Sequence, residues 1–222
     1  MLNYFRARIG GLKINEKEYK VWISLIRNLG FKRYQRLIQE FGAKESLWNA
    51  SKNHLLRVEG IGEKFSEIIL NKKIKDDIKR HIKYMQNHNI DIICIEDKEY
   101  PYLLKEIDNP PICIYIIGRK EILNEANIAI VGSRDATEYG KYVAKEFAYK
   151  LSDNGFNIVS GLARGIDSFA HMGAINAKGK TIAVLGNGLD TIFPKENKKI
   201  AEEIINMGGC IISEYPLGTR TI

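Results

Sequence analysis

Two periodicities divide the chain. Through residue 89 apolar side chains recur at helical spacing. Residues 19–29 place Val21, Trp22, Leu25, Ile26 and Leu29 on one stripe, followed by Gly30 as a stop signal. A second helix is predicted over about 32–41, with Tyr34, Leu37, Ile38 and Phe41 ahead of Gly42. A short third helix over 44–50 carries Leu47 and Trp48. Two further helices flank a tight Gly60-Ile61-Gly62 turn, and a long polar helix fills about 72–89.

From residue 91 the period changes. Ile92–Ile95 and Ile112–Ile117 are continuous apolar, β-branched runs, separated by Pro110-Pro111. Strands are then predicted at 128–131, 156–159, 181–185 and 210–212. Amphipathic helices alternate with them, one with Tyr139, Val143, Phe147 and Leu151 on a single face. Strand–helix alternation predicts βαβ units and a parallel sheet, and fully apolar strands predict a sheet covered on both faces. The expected layout is a helical domain over 1–90 and an α/β domain over 91–222.

Three of the predicted strands run into small-residue loops: Gly132-Ser133-Arg134, Ser160-Gly161-Leu162-Ala163-Arg164-Gly165, and Gly186-Asn187-Gly188. In open α/β sheets ligands bind at the carboxyl ends of strands. Glycines there let backbone amides approach an anion, and the following helix N-termini add positive potential. Arg134 and Arg164 can each present a planar fork to phosphate. With Lys180, these residues predict a phosphate-binding rim; the bland reading is three tight strand-to-helix turns. The dinucleotide fingerprint GxGxxG is absent, as is GxxxxGK[ST], which disfavours NAD enzymes and P-loop ATPases. Asp167 and His171, four apart, could form an acid–base pair. With no nucleophile in place, Asp167 is expected to cap its helix and His171 to pack beside or under the pocket. Val58-Glu59-Gly60-Ile61-Gly62 has the form of a helix-hairpin-helix turn, whose Gly60 and Gly62 amides, with Lys64, could touch one DNA phosphate without reading bases.

Charge adds a partner class. The net charge is +7, and residues 1–90 hold 19 basic against 9 acidic side chains, residues 91–222 15 against 18. Such a basic first part fits a polyanion, nucleic acid first, or a solvated lysine-rich surface. At 45% hydrophobic and 27% charged, the composition is that of an ordinary folded chain. No apolar run is long enough to span a bilayer, and Met1–Arg8 lacks a signal-peptide apolar region, so a cytoplasmic location is expected. Cys94, Cys113 and Cys210 each lie in an apolar strand-like run and are expected as buried reduced thiols; no metal or other cofactor is expected.

The order of motifs resembles the DprA/Smf DNA-processing family. The residues that carry it are Tyr100-Pro101-x-x-Leu104, Asp108-x-Pro110-Pro111, Ile130–Arg134, Tyr139-Gly140, Ser160–Gly165 with Ile166-Asp167-x-x-Ala170-His171, Thr181–Asp190, Phe193-Pro194-x-x-Asn197 and Ser213–Thr219. The resemblance implies a Rossmann-like domain behind a small all-α, helix-hairpin-helix or SAM-like domain. It implies a single-stranded DNA-binding protein of natural transformation, not an enzyme, that protects incoming strands, helps load RecA and forms homodimers. By the same resemblance the Gly132–Arg134 and 160–165 loops hold phosphates, and Phe193 lies near the strand. In the family, further sheet and a winged-helix domain follow Gly-Thr; here Gly218-Thr219 is followed by three residues. The expectation is therefore weaker DNA binding and no RecA loading. A related nucleotide hydrolase of the cytokinin-activating type is the alternative. Its Pro-Gly-Gly-x-Gly-Thr loop is missing, because Gly208-Gly209 leads straight into a strand.

Overall fold

A computed structural model describes residues 13–220; Met1–Arg8, read above for a leader, lies outside them. The helical part comprises α1 (Glu16–Leu25), α2 (Phe31–Phe41), α3 (Lys44–Trp48), α4 (Lys52–Leu55), α5 (Glu63–Ile69) and α6 (Lys72–Asn87). Asn15 and Glu18 cap the start of α1 reciprocally, side chain to amide in both directions. The helix stops four residues before Leu29, where the chain turns through Asn28 at φ 60°. Trp22 is fully buried, edge-on to Trp48 with ring centroids 5.0 Å apart.

The second part is a six-stranded sheet: β1 (Ile90–Cys94), β2 (Cys113–Gly118), β3 (Asn127–Ala129), β4 (Asn157–Ser160), β5 (Thr181–Val184) and β6 (Cys210–Ser213), in the order β1-β2-β6-β5-β4-β3. Strands β3 to β6 are parallel, as the alternation predicted; β1 and β2 extend the sheet antiparallel. The crossings are α8 (Glu138–Asp153), α9 (Ile166–Asn176) and α10 (Lys198–Asn206), with a short α7 (Tyr102–Lys105) ahead of β2. Because the parallel strands advance in one direction, right-handed crossovers put α8, α9 and α10 on the same face. There Ile158 packs with Ala148, Ala170 and Ala174, and Ala183 and Ile211 with Ala201 and Ile204. The helical part docks beside them on β1 and β2, sharing one core that includes Trp22, Met85, Ile92 and Tyr115. Polar ties cross the seam. Tyr34 Oη donates to Glu96 at 2.6 Å, and Lys20 pairs with Asp97 at 2.8 Å.

Three expectations fail. The stripe Tyr139–Val143–Phe147–Leu151 faces the core only at its far end, where Leu151 packs against the Ala148 and Ile158 cluster. Tyr139 is 77% and Phe147 61% exposed, while Ala144, Ala148 and Ser152 are buried. The cause is close helix packing: a Cβ on Gly173 of α9 would collide with the Lys145 carbonyl and the Ala148 methyl, so only small residues fit that face. The sheet is also not covered throughout. Its other face is closed over β1, β2, β6 and Ile182 of β5 by Tyr100, Ile122 and Leu123, but Val184 at the end of β5 is 42% exposed and Val131, beyond β3, is 70% exposed. Finally, Cys94 and Cys113 are not reduced thiols. The β1–β2 register sets them directly opposite, and their sulfurs are bonded. Cys210 is free and buried, its thiol pushed up to about 12 by desolvation.

Candidate nucleic-acid interface

All three small-residue loops meet at the carboxyl ends of the parallel strands, because parallel strands end on one side of a sheet. Their closeness is set by glycine. Gly165 takes φ 76°, and a Cβ there would collide with the carbonyls of Ser133 and Arg134. A Cβ on Gly132 would meet Ile166 at 2.6 Å, and on Gly161 the Asp167 carboxylate at 2.7 Å. The loops are therefore pressed together without side chains between them.

Between them opens a cleft of about 240 Å³. The first loop contributes Arg134, and the second Gly161, Ala163 and Arg164. The third contributes Leu185, Gly186 and Asn187, and Phe193-Pro194 closes the far wall. Phe193 is 50% exposed. Arg134 makes no ion pair or hydrogen bond among the described residues, and neither do the backbone amides of Gly132 and Ser133. Arg164 pairs with Glu196 at 2.7 Å, both side chains largely in solvent. A bond from its own backbone, then the one from Arg164, hold the Glu196 carboxyl below its usual range. The cleft thus offers one free guanidinium, one loosely held guanidinium and an aromatic ring, with the unspent Gly132 and Ser133 amides on the loop that carries Arg134.

Other expected site residues support the cleft without lining it. Ser160 is buried, its hydroxyl donating to the Ile130 carbonyl at 2.6 Å. Gly188 donates its amide to the Thr219 carbonyl and is covered by Pro216 and Leu217. Ser133 turns its own loop, its hydroxyl accepting from the Asp135 amide. Lys180 is set apart. It precedes β5 at the opposite end of the sheet and pairs with Glu125 at 2.9 Å. A residue at the amino end of a strand cannot share a rim with the carboxyl ends.

Asp167 does not cap α9. Gly165 holds that position without a side-chain bond, and Asp167, two residues on in the first turn, accepts from the Ala163 amide at 3.4 Å. His171 packs under the loops. Its Nδ1 lies 2.7 Å from the Thr181 hydroxyl, and burial pushes its pKa down to about 4. Sequence reasoning missed what steadies the cleft. Asn197 donates to the Leu162 and Ala163 carbonyls and the Ser168 hydroxyl, tying the Phe193-Pro194 segment to the second loop. Asn187 folds its own loop by donating to the Gly188 and Thr191 carbonyls. The only signals were an asparagine inside the third loop and another closing the Phe193-Pro194-x-x-Asn197 motif.

In the helical part the Gly60 carbonyl accepts from Arg33 and the Glu59 carbonyl from Arg36, whose guanidinium also pairs with the Glu59 carboxylate. Gly62 precedes α5, which opens with Glu63, and Lys52 pairs with Glu63 and Glu67. Lys64 is exposed. Among the described residues no helix is long and apolar enough to cross a membrane, and no cluster of acidic, Cys and His side chains could hold a metal.

Residues 91–222 match the family model described as DNA recombination-mediator protein A. Over 93% of its length the chain is 36% identical to Protein Smf of Synechocystis, covering 52% of that protein. It is 40% identical to the DNA processing protein DprA of Streptococcus pneumoniae over 58% of this chain and 45% of that one. The chain spans about half the length of these curated relatives. The crystal structure of DprA from S. pneumoniae superposes with a TM-score of 0.73 at 26% identity, over 95% of this chain and 71% of that one. A structure of DNA processing protein A from Helicobacter pylori, described for its single-stranded DNA-binding mode, superposes with a TM-score of 0.52 at 32% identity, over 59% of each chain. The match of a family model to more than half of the chain, in motif order and on the same fold, makes it a member of the DNA recombination-mediator protein A family.

Proposed function

We propose that the chain binds single-stranded DNA along the rim formed by Gly132–Arg134, Ser160–Gly165 and Gly186–Gly188, in the DNA processing of natural transformation and recombination. The observation that carries this is the convergence of Arg134, Arg164 and amide-rich loops on one cleft walled by Phe193. Guanidinium groups and amides suit phosphate, and a half-exposed ring suits a base face of any sequence. Protection of incoming strands is the family role this binding would serve. A binding role rather than bond-breaking fits His171, which is buried, bonded to Thr181 and pushed towards its neutral form, away from the cleft. The Gly60–Gly62 hairpin, with Lys64, is at most an accessory contact, because Glu59 and Glu63 flank the place a phosphate would occupy.

The test is a salt-dependent titration of the chain with a fluorescent single strand, competed by unlabelled single strand or by duplex of equal length. Single strand competes better, and affinity falls linearly on a log–log plot against salt. Equal or better competition by duplex overturns the assignment to the rim.

A further inference from the structure

The first two turns of α8 carry two exposed tyrosines, Tyr139 at 77% and Tyr142 at 63%, for which neither the fold nor the cleft has a use. Exposed aromatic pairs of this size mark a surface that meets something. Their position says what. Arg134 is followed by only two residues before Thr137, whose hydroxyl accepts from the Gly140 amide at 3.1 Å and starts α8. At extended and helical rises per residue, Tyr139 follows Arg134 within about 14 Å of chain. That turn is also seated on the rim. A Cβ on Gly140 would lie 3.5 Å from Ile166, the residue that fills the space against Gly132. The rings therefore stand on the same rigid support as the phosphate loop.

Resting on the rim as the binding site, we propose that Tyr139 and Tyr142 form a base-stacking platform for the nucleotides next to the one whose phosphate sits at Arg134. Nucleobases fit better than a second copy of this chain. The exposed row runs on from Tyr139 through Val143 to Phe147, but its tyrosine end is the part that stands beside Arg134, so that end is continuous with the rim. Tyrosine rings keep their hydroxyls in water while offering a π-face to any base, which a strand binder without sequence selectivity needs.

The test uses the full chain, Tyr139→Ala/Tyr142→Ala and Tyr139→Phe/Tyr142→Phe, with oligothymidylate intact or carrying one abasic residue moved along its length. The alanine pair weakens binding on the order of tenfold with an unchanged melting temperature, and the phenylalanine pair binds like wild type. At one position an abasic residue costs wild type a similar factor and costs the alanine pair nothing. Unchanged binding by the alanine pair overturns the platform, as does equal sensitivity of both proteins to every abasic position. So does a change in sedimenting mass without a change in affinity, which would mark a contact between copies. If Arg134→Ala weakens binding and the tyrosine variants do not, the platform alone fails; if Arg134→Ala also has no effect, the rim itself fails.

Discussion

The two ends of the parallel sheet each hold lysine or arginine next to glycine-containing turns, yet they differ in how much of that charge is already matched. At the carboxyl end Arg134 is unpartnered among the described residues, Arg164 has an exposed partner, and three loops leave a cleft. At the amino end Lys180 is held by Glu125, which also accepts from Asn157. These bonds, those from Lys180 first, keep the Glu125 carboxyl below its usual range, so the charge of Lys180 is already matched. The hairpin in the helical part follows the second pattern, with Arg33 and Arg36 bonded to its own carbonyls. A cation count therefore suggests a partner class, while the balance of spent and unspent charge singles out the proposed site.

The largest effect should come from closing the gap that keeps the rim loops together. Gly165→Val forces a β-branched residue to φ 76° and drives its Cβ into the Ser133 and Arg134 carbonyls. Denaturant unfolding should show a loss of more than about 3 kcal/mol, with single-strand binding lost alongside. The same substitution at Gly208, where φ is 77° but the space is open, separates strain from collision and should cost less.

Next in size is an acid effect from the buried imidazole beneath the rim. His171 has a folded pKa of about 4 against an ordinary 6.5, so between these values the unfolded chain binds the extra proton. Stability from this group is complete above about pH 6.5 and is lost as pH falls towards 4, by about 3 kcal/mol in all. Urea unfolding at stepped pH reads the slope, and His171→Asn should flatten it through that window. An unchanged slope would remove His171 from the account of what supports the rim.

Smaller changes sharpen the contrast between held and free charge. Glu196→Gln releases Arg164, and single-strand affinity should rise by less than about fivefold, more at low salt than at high. Smallest is Lys64→Ala in the helical part, expected to change affinity by no more than about twofold. A larger loss there would move the helical part from accessory to main contact.

Much of this was legible from local patterns. The change from helical to strand period near residue 90 marks the start of β1, and the three loops met at one rim because parallel strands must end together. What stayed hidden depends on tertiary approach. Nothing around Tyr139 or Phe147 says that Gly173 will pull α9 so near α8 that only alanine and serine fit between them. The pairing of Cys94 with Cys113 needed the β1–β2 register, which no spacing of 19 residues reveals. Lys180 reads as a rim residue in sequence because a residue just before a strand and one just after it look alike there, yet they lie at opposite ends in space. The role of Asn197 is invisible in its motif, because its partners, two carbonyls and the Ser168 hydroxyl, lie 29 to 35 residues away.

The most direct measurement compares Arg134→Ala with Lys180→Ala in single-strand titrations over a range of salt. Arg134→Ala should weaken binding by about 1.5–3 kcal/mol and flatten the salt slope by about 0.7, while Lys180→Ala leaves both at wild-type values. Equal losses in the two variants, or a loss confined to Lys180→Ala, would contradict the assignment of binding to the carboxyl-end rim.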